Sequence, residues 1–454
     1  MSAVQLPADP ALLPELSHLY PDSWRASVQR NAEGKPVLEG REKLAHRLLN
    51  MAFLENVSED FGALEHEYLA ASGAVCSTYS AVATDPLEEE GARTVGCYLD
   101  DLSTMRLPTR TIPVHRVLGL AVDSHYRRRG IPSSLMNTRL VAAKQSGAVL
   151  SLLTASEATI YRRFGYALMN TAQEITVEFG EQGLEWLSEP TGTCVRADIG
   201  KIRPLLKELE ESMLAGESPI SVGSLPYSEM ILAGLTATSN PWDRSAEPSK
   251  QQYALVHRDE NGTADGLLIY QIRVKNEKTE ARVYGCLYRT VNALCAMWSE
   301  LSRIDLLTRA TASTGYLYRL LSELVVDRSK IRFGASEDMF WGRILDVPAY
   351  LGALEWCGSG ELLLKVTDAA QLANTEALLR VVNGQLAIET NSGTQLDSDQ
   401  PEITLGVADL LKVTQGRIGA ESLVSAGLAT ESRGGAVLLD SLLKPAALHP
   451  GYWF

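Results

Sequence analysis

The stretch that decides the fold is Val117-Leu-Gly-Leu-Ala-Val-Asp-Ser-His-Tyr-Arg-Arg-Arg-Gly-Ile-Pro-Ser-Ser-Leu-Met136. An apolar run typical of a β-strand leads into an arginine-rich glycine turn, and an amphipathic helix follows the turn. Such a turn directs backbone N–H groups and a helix N-terminus at one point, which three guanidinium groups surround with positive charge. The pattern predicts a site for a diphosphate, although a solvated basic cluster is the alternative.

Composition indicates a globular protein of several domains. The chain has 454 residues, of which 45% are hydrophobic and 22% charged, enough for two to four domains. We see no apolar run long enough to span a membrane and no signal peptide at the N-terminus, so we expect a cytoplasmic location. The formal net charge of −14 argues against a nucleic-acid partner and suits small cationic partners, although acidity can also serve solubility alone.

The six cysteines are scattered and form no C-x-x-C pair, and no histidines cluster beside them. We therefore expect reduced, mostly buried thiols and no metal site.

Periodicity around the opening stretch predicts a mixed α/β domain. The strand before the turn, residues 111–122, places Val114, Leu118, Leu120 and Val122 on one apolar face that only Arg116 interrupts. After the turn, Ser133 or Ser134 is expected to cap a helix that ends near Gly147. The other predicted elements are a helix within 41–67, strands at 76–84, 93–99, 148–153 and 173–179, and a helix capped by Ser156 that ends at Gly165.

Two further segments follow. Residues 191–338 repeat the style of the first domain, with helices at 201–213 and 291–303 and strands at 253–257, 266–274 and 281–290. No arginine-glycine turn follows these strands. We therefore interpret this segment as a structural copy of the first domain that does not take part in the reaction. A third segment, 339–454, begins near Phe340-Trp-Gly-Arg-Ile-Leu-Asp-Val-Pro-Ala349.

The turn lacks the G-x-G-x-x-G of dinucleotide-binding folds and the G-x-x-x-x-G-K-[ST] of P-loops. A Rossmann dinucleotide site and a P-loop nucleotide site are therefore both excluded. Arg127-Arg-Arg-Gly130-Ile-Pro approximates instead the R-x-x-G-x-[GA] signature of the GNAT superfamily of N-acetyltransferases. In that superfamily the turn holds the pyrophosphate of acetyl-CoA, and the preceding strand bonds the pantetheine arm through its backbone.

Three more motifs carry a narrower resemblance. Together with the turn, Ala155-Ser-Glu157, Ile160-Tyr-Arg-Arg-Phe-Gly-Tyr166 and Trp341-Gly-Arg-Ile-Leu-Asp-Val-Pro-Ala349 resemble the Eis (enhanced intracellular survival) acetyltransferase family. The resemblance implies an active GNAT domain at 1–190, a degenerate GNAT domain at 191–338, a sterol-carrier-protein-like α/β domain at 339–454, and a homohexamer. The implied acetyl-CoA contacts, with Arg127 as an outer phosphate contact, are Leu120, Ala121, Val122, Arg128, Arg129, Gly130, Ile131, Pro132, Ser133, Ser156 and Glu157.

The same resemblance assigns the chemistry. It implies that Tyr161, near the start of a short helix, is the general acid and that the terminal carboxylate of Phe454 is the general base. An ammonium acceptor must lose a proton before its nitrogen attacks the thioester, and the departing thiolate must gain one. The structural alternatives are that Tyr161 and Tyr166 only pack around a helix end, and that the C-terminus is frayed.

Two departures from the family pattern bear on binding. Pro132 stands where the superfamily prefers Gly or Ala and removes one backbone donor, and Trp453 stands where some relatives that acetylate aminoglycosides have an acidic residue. Glu55, Glu59 and Asp60 could supply negative charge to an acceptor pocket, or could be exposed helix residues.

The sequence therefore predicts acetyl transfer to the amine of an aminoglycoside-like or polyamine-like molecule. The alternatives are acetylation of protein lysines, and a non-catalytic lipid or partner carrier.

Overall fold

A computed structural model describes residues 19–53, 59–82, 92–181, 183–217, 252–275, 278–314, 319–390 and 400–445. These residues form two compact units. One takes the described residues within 1–104, 112–167 and 341–445, and the other takes those within 105–111 and 168–340. The units record which residues pack together, and the three-domain division at 190 and 338 stays a prediction.

The first part of the chain alternates strands and helices as predicted. Its elements are β1 (Tyr20–Arg25), β2 (Gln29–Arg30), β3 (Pro36–Val37), α1 (Gly40–Phe53), α2 (Glu59–Ser72), β4 (Val75–Val82), β5 (Ala92–Arg106), β6 (Thr111–Val122), α3 (Ile131–Gln145), β7 (Leu150–Thr154), α4 (Ala158–Arg162) and β8 (Ala167–Leu168). The single helix expected within 41–67 is wrong, because α1 ends at Phe53 and α2 begins at Glu59.

The middle of the chain forms one seven-stranded sheet, in the order β10-β11-β12-β13-β14-β9-β15. Trp298, on the second of its helices, is completely buried, in keeping with the number of apolar residues on that helix. The elements are β9 (Thr171–Glu178), β10 (Thr193–Ala197), α5 (Arg203–Ala215), β11 (Gln252–Arg258), β12 (Ala264–Lys275), β13 (Lys278–Tyr288), α6 (Val291–Ser302), β14 (Arg309–Thr314), α7 (Arg319–Leu324) and β15 (Ile331–Asp338).

The last part of the chain builds a five-stranded sheet, ordered β20-β19-β18-β21-β22, with short helices. Its sterol-carrier-like identity stays a prediction. The elements are β16 (Phe340–Ile344), α8 (Val347–Leu351), β17 (Glu355–Trp356), β18 (Gly360–Thr367), β19 (Thr375–Val382), β20 (Gln385–Thr390), β21 (Glu402–Gly406), α9 (Val407–Thr414), α10 (Ala420–Ser425), β22 (Ala429–Ser432), α11 (Gly435–Leu442) and β23 (Leu443–Lys444).

Strand β16 belongs to the sheet that carries the opening stretch. That sheet has the order β1-β4-β5-β6-β7-β16-β8, so a strand from beyond residue 338 lies beside β7. All five residues of β16 are buried. A strand buried on both faces is stable only inside a sheet that is covered on both sides, which explains its position.

The feature that prepares the site is the pairing of β6 with β7. The two strands are parallel, and their ladder runs from Val114 opposite Leu150 to Val117 opposite Leu153. Strand β6 continues past the end of this ladder to Val122. The edge of β6 that faces β7 therefore carries, from Leu118 onward, backbone groups that have no ladder partner on β7.

Burial along β6 differs from the expected pattern. Leu118, Leu120 and Val122, predicted to form the apolar core face, are only half-buried, whereas Val117 and Ala121 on the opposite face are buried. Arg116, the charged residue on the predicted apolar face, has a buried partner. It is buried, and its Nε donates to Oδ1 of Asp101 at 2.8 Å.

The described cysteines are all free, and four of the six are buried, as expected. Within the described ranges, no helix has the length and apolar character needed to cross a membrane.

Candidate functional site

The arginine-glycine turn begins with an anchored aspartate. The buried carboxylate of Asp123 accepts a hydrogen bond from the backbone N–H of His125 at 2.9 Å and caps a short 3₁₀ turn, Ser124–Tyr126. Its other oxygen lies 3.1 Å from the guanidinium of Arg93 on β5. These contacts fix the point at which the chain leaves β6.

Two residues of the turn adopt left-handed backbone conformations. Arg128 has φ of 62° and Gly130 has φ of 82°. Gly130 is the N-cap of α3, and a Cβ atom placed on it would meet nothing within 4 Å. A ligand can therefore approach the backbone here without meeting a side chain.

The start of α3 corrects the predicted cap. The helix begins at Ile131, and Ser134 lies inside it, where its backbone N–H already donates to the Gly130 carbonyl at 2.9 Å. Pro132 occupies the first turn, where a missing N–H costs no intrahelical bond. The N–H groups of Ile131 and Ser133 are the donors that this helix end can offer to an anion.

The three arginines of the turn are exposed. The guanidinium of Arg129 stacks over the Tyr126 ring at 4.8 Å, which orients one charge beside the helix end. A left-handed glycine, an uncapped helix N-terminus and adjacent cations together suit a diphosphate group, which is the group that acetyl-CoA would place there.

Tyr161 is carried by the short helix α4, which follows β7. The prediction that Tyr161 lies near the start of this helix is wrong, because it lies near the end. The N-cap is Glu157, and the predicted cap was Ser156. Ser156 and Glu157 are both exposed. Because β6 and β7 are parallel neighbours, the arginine-glycine turn and α4 both follow the carboxyl ends of adjacent strands.

Burial controls the proton affinity of Tyr161. Its side chain is 7% exposed, and desolvation, with a smaller contribution from the charge of Glu157, raises the pKa of the phenol above its usual value near 10. The ring packs edge-on against Tyr166, with the centroids 6.1 Å apart. At neutral pH the phenol therefore keeps its proton, as a general acid must.

Beneath this tyrosine pair lies a hydrogen-bonded chain that the sequence analysis missed. The hydroxyl of Tyr166 is 2.5 Å from Oγ of Ser151, which is 2.7 Å from Nδ1 of His115. Nε2 of His115 is 2.8 Å from Asp100, whose carboxylate also accepts from Nε of Arg139 at 3.0 Å. All five residues are at most 1% exposed.

One polarity satisfies the whole chain. With the His115 proton on Nε2, the imidazole donates to Asp100, Ser151 donates to Nδ1, and Tyr166 donates to Ser151. The network joins β5, β6, β7, α3 and the segment after α4. It therefore fixes α3, the helix that follows the arginine-glycine turn, relative to the two tyrosines. The available signal in the sequence was a histidine next to Arg116 in a mostly apolar strand, and an arginine among the apolar residues of α3.

The expected acidic group near the acceptor is only partly described. Glu59 is exposed, and its carboxylate lies 2.7 Å from Nζ of Lys43 and 3.5 Å from Arg47. These neighbours, the Lys43 hydrogen bond above all, lower the pKa of Glu59. Its charge is therefore already shared with two cations of α1 and is a weak attractor for a third.

Several predicted groups lie outside this description. Glu55, Trp453 and Phe454 are outside the described residues, as is the side chain of Asp60. The side chain of His125, beside the arginines of the turn, is 83% exposed. Among the residues that the structure describes, no group of three or more His, Cys, Asp or Glu side chains could hold a metal ion.

Comparison with known families yields two matches. A model described as an acetyltransferase (GNAT) domain matches residues 37–169, and a second model with the same description matches residues 235–344. The first match contains the turn and Tyr161, and the second covers residues 235–338 of the central segment and continues to residue 344. The predicted tandem of acetyltransferase folds in a mixed α/β chain is confirmed.

Two proteins with similar sequences are named as N-acetyltransferases. The chain is 29% identical over 338 residues to an uncharacterized N-acetyltransferase of Streptomyces griseus, an alignment that covers 72% of this chain and 78% of that protein. It is 25% identical over 322 residues to the N-acetyltransferase Eis of Mycobacterium tuberculosis, covering 68% and 74% of the two chains.

Solved structures share the fold over nearly the full length. Eis1 from Mycobacterium abscessus superimposes with a TM-score of 0.70 at 21% identity, covering 92% of this chain and 99% of that chain. A GCN5-related N-acetyltransferase from Anabaena variabilis gives a TM-score of 0.72 at 14% identity, covering 96% and 100%.

The buried chain through His115 generates a stability prediction. In His115→Leu, Asp100 and Ser151 each lose a partner in the core, and each such group costs about 1–3 kcal/mol. We expect a clear fall in the free energy of unfolding, measured by urea denaturation followed by circular dichroism. His125→Leu, at an exposed histidine, is the matched control and should unfold at the urea concentration of the unsubstituted protein. Equal midpoints for the two variants would mean that the chain of hydrogen bonds adds no stability.

Proposed function

Because the chain is an Eis-like N-acetyltransferase of the GNAT superfamily, we propose that it transfers acetyl from acetyl-CoA directly to a primary amine of a small cationic acceptor. The acceptor class is aminoglycoside-like or polyamine-like. One observation carries the proposal. The uncapped, arginine-flanked start of α3 follows β6, and the protonated Tyr161 follows the neighbouring strand β7.

Binding of acetyl-CoA is assigned to the start of α3 and the end of β6. The N–H groups of Ile131 and Ser133, with the side chains of Arg128 and Arg129, receive the diphosphate. The open backbone edge at Leu120, Ala121 and Val122 is available to the amide groups of the pantetheine arm. Gly130 and Pro132 shape the backbone where the turn from β6 enters α3. Ser156 and Glu157 stay predicted contacts at the start of α4.

The protons are handled by two groups. Acetyl-CoA supplies an activated thioester. We assign to Tyr161 the proton that the departing sulfur takes up as the C–S bond breaks, and the second proton, released by the nitrogen that forms the amide, restores the phenol. The ammonium of the acceptor must first lose its proton, and we assign this step to the terminal carboxylate of Phe454. Hexameric assembly and a cytoplasmic location stay predictions from the family resemblance and the sequence.

A panel of amines tests the reaction class. Purified protein is incubated with acetyl-CoA and an aminoglycoside, a polyamine or a lysine-containing peptide, and release of free thiol is followed. We expect the two small polycations to stimulate release, because the chain is strongly acidic. Release with the peptide alone would favour acetylation of protein lysines, and no stimulated release with any amine would favour a non-catalytic carrier.

Tyr161→Phe tests the acid. The substitution keeps the ring and removes the proton donor, so we expect kcat to fall about 10²- to 10⁴-fold while the Kd of acetyl-CoA is unchanged. In the unsubstituted enzyme, the midpoint of any activity loss through ionisation of this phenol should lie above the ordinary tyrosine pKa near 10, because burial raises the pKa of Tyr161. Full activity in the phenylalanine variant would remove Tyr161 from this role.

Extension of the chain beyond Phe454 tests the base. Two added residues convert the carboxylate of Phe454 into a neutral amide, which cannot accept the proton of the ammonium. We expect kcat to fall by a factor comparable to that of a lost general base, about 10²- to 10⁴-fold. The same two residues added at the N-terminus provide the control. An extended enzyme with unchanged kcat would refute the assignment.

A further inference from the structure

The helix that carries Tyr161 is too short to hold its own position. It spans five residues, Ala158–Arg162, and isolated helices of this length are unstable in water. Its C-terminal end is closed by the backbone N–H of Phe164, which donates to the Tyr161 carbonyl at 3.0 Å. The position of the phenol therefore depends on what holds the segment from Tyr161 to Gly165.

The group that holds this segment comes from far along the chain. Arg343, on β16, is completely buried, and its Nη1 donates to the backbone carbonyl of Phe164. From the same strand, the ring of Trp341 lies under the guanidinium of Arg162, 5.8 Å from the ring centroid. Both contacts meet the end of α4, where its exposed carbonyls favour a positive charge.

Arg343 is itself fixed from the other side. Its Nη2 donates to Oδ2 of Asp368 at 2.7 Å. That carboxylate also accepts from the backbone N–H groups of Leu372 at 2.9 Å and Ala373 at 3.0 Å, so the loop after β18 holds it in place. A guanidinium with two separate nitrogens can join the Phe164 carbonyl to this carboxylate, whereas the single nitrogen of a lysine cannot occupy both positions.

The absence of a side chain at Gly165 lets the Arg343 guanidinium approach the backbone of the tyrosine segment. It has a left-handed φ of 78°, and a Cβ atom placed on it would lie 3.1 Å from Nη1 of Arg343 and 3.3 Å from Cγ1 of Val407. A side chain here would have to displace the guanidinium or the adjacent valine. Gly165 and Arg343, which belong to two separate motifs of the sequence, therefore pack against each other.

We propose that Arg343, held by Asp368, is a positioning residue that sets the orientation of Tyr161 for proton transfer. This role rests on the proposed function, in which Tyr161 is the acid. It also gives the segment after residue 338 a part in the reaction that is separate from the assignment of the base to Phe454. Because Arg343 is completely buried and its guanidinium donates to the Phe164 carbonyl, it acts through the backbone of the tyrosine segment.

A double-mutant cycle tests the coupling. Arg343→Lys keeps the charge and loses the two-sided contact, so the phenol shifts and kcat should fall about 10- to 100-fold, with the Kd of acetyl-CoA within twofold. In the Tyr161→Phe background no acid remains to be misplaced, so adding Arg343→Lys should change kcat less than about threefold. An equal fold loss in both backgrounds, or no loss in either, would overturn the proposal.

Three further variants keep the test decisive. Glu402→Gln, which breaks the half-exposed Lys365–Glu402 pair on the same part of the chain, is the control and should leave kcat unchanged. If Arg343→Lys does not fold, Gly165→Ala and Asp368→Asn attack the contact from its other two sides and should show the same dependence on Tyr161. Full activity of Tyr161→Phe alone would instead refute the proposed acid, which separates the two failures.

Discussion

A carboxylate buried without solvent, Asp100, is the constraint on which the first unit depends. An isolated charge in a protein core is strongly unfavourable, so it must be matched by donors in good geometry. His115 and Arg139 supply them from β6 and α3. Because removing any partner leaves a charge unmatched, β6, α3 and the Ser151–Tyr166 extension are held in one arrangement, and that arrangement sets the position of the arginine-glycine turn.

A second buried pair, Arg343 with Asp368, holds the backbone of the segment that follows Tyr161. Both clusters contain a buried arginine that donates to a buried carboxylate, and the guanidinium of Arg343 bonds a backbone carbonyl at the same time. They differ in chain distance. The partners of Asp100 follow within 39 residues, whereas Arg343 reaches back 179 residues to Phe164. The reaction proposed here therefore depends on packing that is complete only when β16 has joined the first sheet.

Local pattern predicted the elements well and the details of their ends poorly. The strand predicted at 111–122 is β6 with the same bounds, because its residues alternate and Asp123 ends the run. The caps predicted at Ser133 or Ser134 and at Ser156 were wrong, because a left-handed Gly130 and an extended Glu157 start these helices without a side-chain cap. Burial on β6 was also misjudged, since the open edge beyond Val117 cannot be read from periodicity.

The sequence by itself determined the fold class, the arginine-glycine turn and the Tyr161 motif, because strand alternation, glycine conformation and helix starts are set by residues close together in the chain. Which buried charged and polar groups meet depends on the tertiary structure. His115 with Asp100, and Arg343 with Phe164 and Asp368, are brought together by sheet order, in which β16 lies beside β7. Pairings over such distances are chosen by the energy of burying charge and backbone together, which no local pattern records.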